Sequence, residues 1–246
     1  MVYILGTISL IGGIYWCRAY IQKHIQGIGK LINLPSNGGL YLYTLIFLPG
    51  IMIHEMAHFM TAAVLGVKTG EIHLLPRPAT KHQEAVALGS VQVAKVDAFR
   101  SSLIGAAPFL TGSTIIYLIV NSQLLKFNSL NHLVESLTNR PIYEIILRLI
   151  YLYLLFCIGN TMFSSKEDTR SWPLLVILAL TLIVLAYFTG SLNQALKLSL
   201  PWAASGAQAF FGVFLLVLIL DGWFISLLYL LEKGLGRWLK KRLIYG

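Results

Sequence analysis

His54-Glu55-Met56-Ala57-His58 lies in a stretch from Leu40 to Gly66 that contains no other charged residue. A run of this length and apolarity predicts a helix buried in a membrane. On that helix His54 and His58, at i and i+4, face the same way and present two imidazoles to one divalent metal ion. Glu55 stands beside them, where a carboxylate serves as general base for the attacking water of a zinc hydrolase. Ionisable groups at membrane depth are costly and mark function. The pentapeptide therefore constrains both the solvent the chain folds in and the chemistry it brings there.

Composition agrees on the solvent. Hydrophobic residues make up 57% of the 246 and charged residues 12%, about half the charge of an ordinary soluble domain. Matching apolar runs to the ~20 residues that cross a ~30 Å hydrocarbon core predicts six spans, at about 1–17, 40–66, 98–120, 142–163, 173–190 and 206–231. The expected fold is an all-α polytopic membrane protein, one membrane-embedded domain over 1–246. The first run has no positive segment before it and no small-residue cleavage site before Arg18, so it reads as a retained helix rather than a secretion signal. Cys17 and Cys157 sit in or beside apolar runs and read as packing residues. Pro49, five residues before His54, is expected to loosen the second helix and to help admit water.

Between the second and third runs, Glu71 to Leu75 and Ser90 to Ala94 read as two short strands joined through Pro76 and Pro78. This hairpin, inserted after the second span, either offers an edge to a substrate in extended form or covers the site. His73 and His82 read as hairpin residues rather than ligands.

Six spans bring both termini to one side, and the Lys/Arg count chooses the side. With cytoplasmic termini, twelve cations fall inside (Lys68, Arg77, Lys81, Lys95, Arg100, Lys166, Arg170, Lys233, Arg237, Lys240, Lys241 and Arg242) and six outside (Arg18, Lys23, Lys30, Lys126, Arg140 and Lys197). The expected placement is multi-pass, with the termini and the active-site opening cytoplasmic. The net charge of +9 then reflects topology and the anionic lipid bilayer, not nucleic acid, for which no recognition motif is present. The tail from Lys233 to Gly246 reads as an interfacial helix.

A zinc hydrolase needs a third protein ligand and one open position. Under this topology Glu135 and Glu144 lie across the membrane from the histidines, whereas Glu167, Asp168 and Asp221 share their side.

The chain resembles the site-2 proteases, a family of intramembrane zinc metalloproteases, over a core of about residues 41–173. The resemblance rests on the in-membrane H-E-x-x-H, on Asn160 followed by Asp168 at the spacing of the family's N-x-x-P-x-x-x-L-D-G, and on Gly105-Ala106-Ala107-Pro108 in the third span. Phe163, Glu167 and Thr169 depart from that pattern. The resemblance implies one Zn²⁺ per chain held by His54, His58 and Asp168, with Asn160 hydrogen-bonding the substrate or the oxyanion. It also implies hydrolysis of peptide bonds in membrane-embedded protein substrates, with Glu55 as general base on the zinc-activated water. Leu220-Asp221-Gly222 makes Asp221 the alternative third ligand, or a partner of Arg148 or of a backbone donor. Two other readings stand beside the protease: a different membrane zincin with a Glu ligand, and a non-catalytic zinc-binding scaffold.

Overall fold

The structure is a computed structural model, and it describes residues 2–35, 37–76, 89–121, 141–163, 168, 170 and 172–241. Its elements are α1 (Val2–Leu31), α2 (Gly38–Ile46), α3 (Leu48–Val64), β1 (Thr69–His73), β2 (Ser90–Val93), α4 (Ala98–Asn121), α5 (Ile142–Thr161), α6 (Trp172–Phe188) and α7 (Leu192–Trp238). Among the described residues the fold is helical with one two-stranded antiparallel sheet. His82, Glu135, Glu167, Thr169, the turn beyond Pro76 and the last five residues of the tail lie outside the described residues.

Six spans are not supported. Among the described residues three segments are long and apolar enough to cross a membrane, Ala98–Val120, Ile142–Thr161 and Gly206–Trp238, and α2 with α3 makes a fourth if the bent pair is one span. The expected first span merges into α1, which continues through Arg18, Lys23 and Lys30. The expected fifth is α6, whose 17 residues rise only about 26 Å. Helix α1 is long but carries these cations, whereas α6 is apolar but short.

The expected second span is broken by an 80° bend between α2 and α3. Pro49 stands in the first turn of α3; it has no N–H to continue the ladder, so one helix ends and another begins around it. The bend frees the Ile46 carbonyl, which accepts the Tyr153 hydroxyl at 2.7 Å and the Cys157 thiol at 3.4 Å. In an apolar solvent such replacement partners are what make a broken helix tolerable. At the far end of α3, Gly66 takes φ +68°, and the Val67 N–H reaches back to the Ala62 carbonyl at 2.9 Å. That left-handed closure stops the helix and turns the chain into β1. The hairpin pairs Ile72 with Val91 and His73 with Ser90, with an irregularity between Thr69 and Ile72; its first strand starts two residues earlier than the sequence reading. The Asp97 carboxylate then caps α4 by accepting the Arg100 N–H at 3.0 Å, and that bond holds it below the usual carboxylate range.

Helix directions follow from the contacts. Ile46 meets Tyr153, and His54 meets Thr161, so α3 and α5 run parallel. Phe156 packs on Phe224 and Phe163 on Phe214, so α7 runs against α5. Gly6 lies against Phe211, His24 pairs with Glu232 at 2.6 Å, and Asn33 accepts from Lys241 at 2.6 Å, so α1 and α7 run parallel along nearly all of α1. Among the described residues three cores fill the bundle, one around Ile14, Ile116, Ile158 and Phe214, one around Ile25, Phe47, Phe156 and Leu228, and a small one of Ala62, Val67 and Ile104. Cys17 and Cys157 are buried free thiols.

The parallel α1–α7 pair separates cations that the six-span count had pooled. Lys68, Lys95 and Arg100 flank the hairpin at the end of the bundle where α3 and α5 finish. Lys233, Arg237, Lys240 and Lys241 collect at the other end, with Lys23 and Lys30. A count that adds the tail to the hairpin loops therefore does not orient this chain.

Candidate metal centre

Three elements converge on the histidines. Helix α3 carries His54 and His58 one turn apart on the face toward α4 and α5. Gly50 sits one turn earlier, where a side chain would run into the Thr161 hydroxyl and the Cys157 carbonyl, so the absence of one lets α3 and α5 cross closely. Gly105 does the same between α4 and Asp168: an added Cβ would strike the Asp168 backbone carbonyl. These two glycines bring the histidines and the aspartate within reach of a single point. Gly105 belongs to the Gly105-Ala106-Ala107-Pro108 segment noted in the sequence, and Ala107 is buried beside it.

Each imidazole is oriented by a backbone carbonyl. His54 Nδ1 donates to the Thr161 carbonyl at 2.7 Å, and His58 Nδ1 to the Ile104 carbonyl at 2.8 Å. A neutral imidazole that donates from Nδ1 carries its lone pair on Nε2, and a hydrogen-bonded second nitrogen is the usual support of a metal-binding histidine. The two Nε2 atoms stand 3.2 Å apart. Asp168 completes the triangle, with Oδ1 at 3.2 Å from His58 Nε2 and Oδ2 at 3.7 Å from His54 Nε2. Ligands at about 2.0–2.2 Å from a tetrahedral zinc stand roughly 3.3–3.6 Å from one another. The donor set and its spacing fit one such ion, and His54, His58 and Asp168 are the group among the described residues whose ligand atoms converge this way. Their side chains are 9–18% exposed.

Glu55 is buried on α3. The chain entering β2 passes directly against it: a Cβ added at Gly89 would stand 2.7 Å from Glu55 Oε1. The hairpin thus forms one wall of the site.

Asn160 and Asp221 differ from expectation. Both are fully buried, and they meet each other: Asn160 Nδ2 donates to Asp221 Oδ1 at 2.6 Å and to the Phe156 carbonyl at 3.0 Å. With both amide hydrogens engaged, Asn160 has none to offer a substrate or an oxyanion. Asp221 stands outside the metal triangle. It does not meet Arg148, which lies about 18 Å further along α5 from Asn160. Glu144 is in the first turn of α5, at the end of that helix remote from the histidines. His73 pairs with Glu71 at 3.2 Å within β1. The carbonyls of Thr161 and Ile104 carry no side-chain signal that sequence reasoning uses, and both were missed.

Compared with known proteins, the chain matches no family model, no curated protein and no solved structure.

Proposed function

We propose that this chain is an intramembrane zinc endopeptidase resembling the site-2 proteases, acting on membrane-embedded protein substrates. The observation that carries the reading is the triangle of two Nε2 lone pairs and one carboxylate, oriented from behind by backbone carbonyls, with Glu55 on the next residue of the same helix. A zinc ion held there by His54, His58 and Asp168 would supply Lewis acidity to a scissile carbonyl and to water. Glu55 takes the proton from the attacking water onto its carboxylate and returns it to the leaving amine. Burial of Glu55 beside Gly89 keeps bulk solvent from that exchange. The bend at Pro49 opens the apolar run just ahead of the histidines.

A zincin with a Glu ligand is less well supported, because Asp168 already supplies the carboxylate and Glu144 lies at the remote end of α5. The idle scaffold is separated from the peptidase by one substitution. Purified Glu55→Gln is expected to hold one zinc per chain and to cleave a membrane-embedded reporter at least about 100-fold more slowly, since general acid–base catalysis contributes roughly 10²–10⁴. Wild-type cleavage by this variant, or no cleavage by the wild type with zinc bound, overturns the peptidase reading.

A further inference from the structure

The Asn160–Asp221 pair is a poor device for stability alone. Asp221 Oδ2 and Asn160 Oδ1 are both buried and accept no hydrogen bond among the described residues, and unmet buried acceptors destabilise. Val217 and Phe224 flank Asp221 on α7 in apolar cores, so a leucine at 221 would suit the surroundings better than an acid. An acid kept in such a place calls for a role.

Its position supplies one. Asp221 on α7 anchors the Asn160 side chain in the last turn of α5. The next residue, Thr161, gives the carbonyl that receives His54 Nδ1. A relay of two contacts therefore joins α7 to the ring that faces the metal. Resting on the zinc-site reading above, we propose that Asp221 is a positioning residue for the metal centre, holding the end of α5 through Asn160 so that the Thr161 carbonyl keeps His54 Nε2 aimed at the ion. Partners of this kind, one shell behind a ligand, change metal affinity or activity by about 10–100-fold when removed.

The test uses the full chain in detergent or nanodiscs, loaded with Co²⁺, reading its visible absorption bands and its affinity by chelator competition. Asp221→Leu is expected to take up one cobalt per chain at saturation, with bands shifted and affinity lowered about 10–100-fold. Asp221→Asn keeps an acceptor for the Asn160 amide and is expected to change less; Asp221→Ala, which removes the acceptor, carries the test if the leucine variant does not fold and is expected to show the same shift and loss of affinity. The exchange Asn160→Asp with Asp221→Asn restores an amide-to-carboxylate bond in the opposite sense and should return the bands toward wild type. Wild-type bands and affinity in Asp221→Leu, or in Asp221→Ala where the leucine variant does not fold, would make the pair mere packing. Complete loss of cobalt in the Asp221 single variants, unrescued by the exchange, would make Asp221 a ligand and overturn the proposal. Cobalt bound by a wild type that cleaves nothing sinks the peptidase reading and leaves the positioning result intact; a wild type that binds no cobalt sinks both.

Discussion

At the scale of single residues, the site is a set of lone pairs whose hydrogens have been committed elsewhere. The two Nδ1 atoms donate to carbonyls, and the two Nε2 atoms and Asp168 converge on one point. Removing one of three protein ligands from zinc removes more than any outer partner does, so Asp168→Ala should weaken zinc binding by more than about 100-fold. Competition with a chelator measures it; near-normal affinity would take Asp168 out of the triangle. His54 and His58 were legible because helical geometry fixes what i and i+4 do. Asp168 was legible only through its spacing from Asn160. The bond between Asn160 and Asp221 was not, because 61 residues separate them and nothing local to either one names the other. The carbonyls behind the imidazoles were illegible for a simpler reason: every residue has one.

At the scale of elements, close approach decides the geometry. Gly50→Leu should push α3 from α5 and lower stability by about 1–3 kcal/mol, as overpacking does, with metal affinity falling alongside; thermal unfolding in detergent checks the first. Gly89→Val addresses the hairpin wall. A branched side chain there meets the Glu55 carboxylate, so cleavage should drop roughly tenfold or more while zinc content is unchanged. Loss of zinc instead would show that the hairpin supports the ligands rather than the base. The hairpin itself was readable from alternation and from Pro76, although β1 begins at Thr69. The bend was only half readable. Pro49 announced a weakness in the helix, but an 80° turn depends on Tyr153 and Cys157 waiting on another helix for the Ile46 carbonyl.

For the whole molecule, the parallel run of α1 beside α7 governs what the ends do. Cysteine labelling in intact membranes should report positions near Lys95 and Lys240 on opposite faces; the same face for both would contradict the helix directions. The six-span count failed here because it treated each apolar run as one crossing, whereas α1 is a long helix carrying cations and one run is bent in two. That same pairing sets a timetable for biosynthesis. Asn33 and Lys241 are 208 positions apart in the chain, so at about 5–20 residues per second the first helix leaves the ribosome roughly 10–40 s before its partner is complete. During that interval Ile21 and Ile25 can meet Tyr43 and Phe47, but the partners that α7 supplies, Leu228 for them and Val213 and Val217 for Ile14, are still to come. Ribosome-bound chains stopped before residue 206 should therefore yield α1 to protease far faster than chains released at full length.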